Sequence, residues 1–131
     1  MDNKTKHYTE AFAKQMLSDI QNGVVNEKEA VTLRRQLIEE IEASYNNFRM
    51  RLGGGIIQPE ERFINHTVNA MKRLKLEYTG YNVFVAACAM SSVMLRLYGP
   101  MGGFAGLPDL STYNTGAGIA DIMNKIVTFF G

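Results

Sequence analysis

The chain has 131 residues, 46% of them hydrophobic and 21% charged, which fits one globular domain burying roughly two thirds of its unfolded surface and excludes wholesale disorder. Fourteen basic against thirteen acidic side chains leave a net charge of +1; this excludes a histone-like basic protein, so any nucleic-acid contact rests on where the charges sit. One cysteine, Cys88, and two histidines, His7 and His66, exclude an internal disulfide and a zinc cluster of the His/Cys type.

The opening residues, with Asp2, Lys4, Lys6 and Glu10, contain no apolar stretch of the secretory kind, so an intracellular origin is expected. Tyr8 to Gln21 places Phe12, Met16, Leu17 and Ile20 at helical spacing before the stop signal Asn22-Gly23, which predicts a short amphipathic helix. Asn26 and Glu29 resemble a capping box. Beyond them Leu33, Leu37, Ile41, Tyr45, Phe48 and Leu52 recur every three to four residues, predicting a helix of about seven turns. Gly53-Gly54-Gly55 ends it, because successive glycines lose too much chain entropy to stay helical. Pro59 suits the first turn of a third helix that runs to about Tyr78, with Glu60 and Glu61 at its positive end.

Gly80 breaks or bends the chain before Tyr81 to Tyr98, where an almost continuous apolar run from Val83 to Met90 and on through Leu95 needs cover on all sides. The uncharged residues from Tyr78 to Leu95, with Arg96 next, are marginal as a membrane span because they include Thr79, Gly80, Asn82, Ser91 and Ser92, and they read as a buried helix. Residues 99–118 hold six of the twelve glycines and two of the three prolines, which predicts a long irregular segment. Ile119, Ile122, Met123, Ile126, Val127 and Phe130 define a last short helix. With no strand pattern of comparable length, the expected fold is all-α, with four to five helices and a long central pair.

The expected organisation is one domain: an N-terminal arm and short helix over 1–25, a charged helix pair over 26–78 and an apolar assembly region over 79–131. Residues 1–77 carry twenty-three of the twenty-seven charged side chains. A C-terminal part with only four charged side chains is expected to pack on other subunits; its alternative is a domain core wrapped by the charged helices.

Catalytic chemistry is not expected. Glu39, Glu40 and Glu42 fan around a helix rather than converge, His66 has no carboxylate at helical spacing to orient it, and Cys88 sits in an apolar run that keeps a thiol protonated. The glycine-rich tracts lack the Lys-Ser/Thr of a phosphate loop, and no cofactor or metal is expected. The distinctive cluster is basic. Between Arg62 and Lys75 lie Arg62, Lys72, Arg73 and Lys75 with no acid. At helical spacing Arg62, Asn65, His66, Asn69, Lys72 and Arg73 fall on one broad side, opposite Ile64, Val68 and Met71. Cations and hydrogen-bonding side chains in that arrangement suit a phosphate backbone, and Arg49, Arg51, Arg34 and Arg35 on the preceding helix extend the set. Pairing of Lys72 with Glu39 or Glu42 across the hairpin is the alternative use of such charges.

In architecture the chain resembles the major capsid proteins of filamentous archaeal double-stranded DNA viruses: a charged arm and short helix, a long pair around Arg34-Arg35 and Arg62 to Lys75, and an apolar, glycine-rich C-terminal part. The resemblance implies a virion subunit, assembled in the host cytoplasm, whose basic helices line double-stranded DNA and whose apolar helices contact copies of itself or a homologous capsid subunit. It implies no small-molecule substrate and no membrane contact. Two other readings stay open, a bacteriophage head-tail connector or adaptor and a small oligomeric host-interaction protein of the sponge or inhibitor kind.

Overall fold

Among the described residues, threonine hydroxyls start three of the five helices. In the computed structural model, which describes residues 8–23, 27–53, 58–99 and 115–130, Thr9 Oγ1 accepts from Phe12 N at the head of α1 (Glu10–Gln21) and Thr79 Oγ1 accepts from Asn82 N at the head of α4 (Gly80–Tyr98), both at 3.1 Å. Thr115 Oγ1 takes the Gly118 N–H in the same way at the head of α5 (Gly116–Phe130). Each hydroxyl satisfies one of the N–H groups that a helix start leaves without a partner. Between α1 and α4 lie α2 (Glu27–Arg51), the long helix, and α3 (Glu60–Arg73), which the extended Pro59 introduces. Among the described residues there is no strand, and the fold is all-α.

Several boundaries differ from the sequence reading. Gly80 is the first residue of α4 rather than a break, because Thr79 caps the helix there. Helix α3 stops at Arg73, five residues earlier than periodicity implied, since the chain turns left-handed at Lys75. Helix α5 begins at Gly116, three residues before Ile119. Asn26 and residues 100–114 of the glycine-rich stretch lie outside the described residues.

Helices α2 and α3 form the antiparallel pair, with Phe48 beside Arg62, Ser44 beside His66 and Glu40 near Arg73. Helix α4 runs in the same direction as α2, as the contacts Arg34 to Ser92, Glu42 to Arg96 and Tyr45 to Tyr98 show. It is the centre of the molecule: eleven of its nineteen residues are buried, covered by α2, α3 and α5. Leu37 and Ile41 of α2, Phe63 and Met71 of α3, Met90 and Met94 of α4, and Ile122 and Ile126 of α5 meet in one core. Helix α4 is long and apolar enough to cross a membrane by length and composition, yet its apolar surface is taken up by these neighbours. The core alternative for this helix therefore accounts for its lack of charge without a second subunit.

Helix α1 closes the bundle against α5. Asn124 holds both backbone groups of Tyr8, its Oδ1 accepting from Tyr8 N and its Nδ2 donating to Tyr8 O at 2.8 Å. At the other end Gly116 lets α5 approach α1 so closely that a Cβ there would stand 2.7 Å from Lys14 Cγ and 3.3 Å from the Glu10 carbonyl oxygen.

Candidate nucleic-acid interface

Helix α3 is amphipathic, but its buried arc is wide. Because α2, α4 and α5 all touch it, Phe63, Ile64, His66, Thr67, Val68, Ala70 and Met71 are all covered. What faces outward is the exposed acid Glu61 at the start of the helix and then a strip holding Arg62, Asn65, Asn69, Lys72 and Arg73, spanning about 16 Å from Arg62 to Arg73 at 1.5 Å per residue.

Arg62 is fixed at one end of the strip. Its guanidinium carbon sits 4.1 Å from the centre of the Phe48 ring on α2, a cation–π contact that holds the charge in place. At the other end, α3 closes in a Schellman turn: Leu76 N donates to Met71 O and Lys75 N to Lys72 O, each at 3.0 Å. The residue that must turn left-handed there is Lys75, at φ 57°. This position, where glycine is the usual choice, puts a lysine beside Lys72 and Arg73. Arg73 lies at the 4.0 Å limit of an ion pair with Glu40 and stays largely exposed, so the pair neutralises little of it. Arg51, Arg62 and Lys75 form no ion pair among the described residues.

Other residues of the predicted set point elsewhere. His66, expected on the basic side, is only 3% exposed and offers nothing to a phosphate. It lies at the edge of the strip that α2 covers. Its Nε2 and Gln58 Oε1 are 2.6 Å apart, its Nδ1 and Ser44 Oγ 2.8 Å apart. Gln58 Nε2 donates to the Tyr45 carbonyl, so the Gln58 oxygen faces the ring and accepts from Nε2–H, which leaves Nδ1 to accept from Ser44. Burial, followed by the nearby Arg62 charge, lowers the His66 pKa to about 4, so the ring is neutral. Serine, histidine and amide together tie α2, α3 and the residue before Pro59 into one unit.

Arg34 lies over α4, hydrogen-bonded to Ser92 Oγ. Arg49 is on the α4 side of α2, where its charge acts on the Tyr98 phenol. Arg35 is exposed on α2. The structure thus gathers Arg62, Asn65, Asn69, Lys72 and Arg73 along α3, with Lys75 at the turn after it, and turns Arg34 and His66 to other neighbours; Arg35, Arg49 and Arg51 are exposed on α2. Phe48, which the sequence marks only as an apolar repeat position, is the platform that sequence reasoning missed. The sole available signal was its place one turn before Leu52, opposite the incoming Arg62.

Glu42 pairs with Arg96 of α4, a different partner from the Lys72 that spacing offered. Cys88 is half-buried among apolar neighbours, and burial raises its thiol to about 11 against a small opposing effect of Arg34. Among the described residues no three His, Cys, Asp or Glu side chains converge as metal ligands would. No known protein family, characterised protein or solved structure matches the chain.

Proposed function

We propose that this protein is a non-enzymatic structural subunit that coats double-stranded DNA, in line with its resemblance to the capsid proteins of filamentous archaeal viruses, and that its place is the virion. The observation that carries the reading is the outer strip of the α2–α3 pair, where Arg62, Lys72, Arg73 and Lys75 follow one another with no acid between them and Asn65 and Asn69 stand in the gaps. Its length matches about five base pairs at 3.4 Å each. Point cations at both ends with amide donors between them suit phosphate and sugar oxygens, which position a protein without reading sequence. The Arg62 guanidinium is already held by Phe48, so binding costs less side-chain entropy there. Self-association, the second half of a coat role, finds only part of α4 open, because eleven of its nineteen residues are buried inside the molecule.

The test is the salt dependence of binding to duplex DNA of mixed sequence. Four phosphate contacts contribute about −3.6 to the slope of log affinity against log salt, at roughly −0.9 each. Replacing Arg62, Lys72, Arg73 and Lys75 by alanine together should remove about that much, equally for unrelated sequences. An unchanged slope would mean that the strip is only solvated, and the connector or sponge reading would take its place.

A further inference from the structure

Five large hydrophobic side chains are markedly exposed among the described residues, and three of them belong to two places that complement each other. The first place is a groove of about 340 Å³ between α1 and the start of α2, floored by Phe84 and Cys88 of α4 and closed at one end by Ile119 of α5. Leu17, 49% exposed, and Val31, 55% exposed, form its two lips. Arg34 stands at its rim; its hydrogen-bond partner is the neutral Ser92 hydroxyl, and it has no carboxylate partner among the described residues. Lys14 adds a second cation at the rim, shared with Glu10 at 3.0 Å. The groove is thus mainly apolar inside, and among its lining residues Arg34 is the cation without a carboxylate partner.

The second place has the opposite character. At the far end of α5, Phe129 projects 50% exposed beside a shallow cleft that also includes Ile64, Glu60 and Glu61. Lys125 engages Glu60, whereas Glu61 is exposed and forms no ion pair among the described residues. This is an aromatic side chain next to an uncommitted carboxylate. Ile119 and Phe129 are separated by about 15 Å along α5, so one copy cannot insert its own Phe129 into its own groove.

We propose that Phe129 of one copy seats in the α1–α2 groove of the next, with Glu61 against Arg34, so that subunits join head to tail. Aromatic anchors in desolvated pockets carry much of the energy of protein contacts, and a charge pair at the rim fixes register. Two different patches meeting in this way form a heterologous contact, which repeats into an open helical series or closes into a ring but does not stop at a symmetric dimer. The inference rests on the coat reading above only in supplying its repeating contact, and it is measured without DNA.

Sedimentation of the DNA-free protein tests it. The unmodified chain should form a concentration-dependent series of oligomers, whereas Arg34→Glu, which blocks the groove, and Phe129→Asp, which removes the anchor, should each remain monomeric. All three should melt alike, because both positions are exposed; Glu61→Lys serves as a second anchor-side variant should Phe129→Asp melt early. Mixed in equal amounts, the groove variant and the anchor variant should give a one-to-one dimer and nothing larger, since one intact anchor and one intact groove remain. A mixture that stays monomeric, a blocked variant that associates as well as the unmodified chain, or an unmodified chain that is monomeric throughout would overturn the contact. The salt slope of DNA binding is read at other residues. An unmodified chain that stays monomeric while the quadruple alanine variant loses its salt slope refutes this contact alone, and association intact with an unchanged slope in that variant refutes the coat reading alone.

Discussion

His66 shows how one buried polar side chain sets the conditions under which the fold is stable. The neutral ring accepts from Ser44 and donates to Gln58, and Arg62 beside it opposes a second proton. Its pKa falls from 6.5 to about 4 on folding, so the unfolded chain binds a proton between these values that the folded chain does not. The stability linked to His66 is therefore complete above about pH 6.5 and is lost progressively as pH falls towards 4, by on the order of 2 kcal/mol after allowance for solvent screening. Urea midpoints measured from pH 7 to pH 4 should fall accordingly. His66→Gln keeps a hydrogen-bonding side chain without the titration; it should lower stability at pH 7 and flatten the fall. An equally steep fall in that variant would assign the acid sensitivity to other groups.

At the scale of the element, the end of α3 binds stability and function together. Lys75 occupies the left-handed position of the Schellman turn, where a side chain with a Cβ costs roughly 1 kcal/mol more than glycine. Lys75→Gly should therefore raise the unfolding free energy by about 1 kcal/mol while lowering the salt slope of DNA binding by about one unit. A stabilised variant with an unaltered slope would show that the lysine contributes nothing to DNA. The same turn explains where sequence reasoning succeeded and failed. The long amphipathic repeats of α2 and the apolar run of α4 were legible because periodicity over many residues has one explanation. The stop after Arg73 was not, because no glycine or proline marks it and Leu74 and Leu76 continue the apolar spacing. His66 was misplaced for a related reason: periodicity gives its angle around α3, but only the position of α2 decides whether that angle is covered. Lys72 and Arg73 are exposed, as a helix with one apolar side implies, whereas Lys75 is carried outward by the turn that follows α3. Arg34, also exposed, is turned away from the α3 strip, because it lies in line with the buried Leu37 and Ile41 and reaches over α4 to Ser92.

For the molecule as a whole, the placement of α4 changes what the charge-poor C-terminal part does. Charge distribution alone allowed residues 26–78 to stand as a charged pair and 79–131 to act as an assembly surface. In the fold the two are not separable. Helices α2 and α3 bury Leu37, Ile41, Phe63 and Met71 in the same core as Met90, Met94, Ile122 and Ile126, and without α4 and α5 those side chains would lie in water. Ile122 is 0% exposed. Ile122→Asp should accordingly not disperse an oligomer of folded subunits; it should unfold the molecule, because an isolated charge in the core costs several kcal/mol against a total stability of roughly 5–15 kcal/mol. Far-ultraviolet circular dichroism should show the helical signal of α2 and α3 lost together with that of α5 in one transition. Asp121→Asn, one residue away and exposed, breaks only the ion pair with Lys125 and should leave the melting curve nearly unchanged. Retention of the α2 and α3 helices in the Ile122→Asp chain would show that the charged pair is a folding unit of its own, and would return the C-terminal helices to the role of a separate surface.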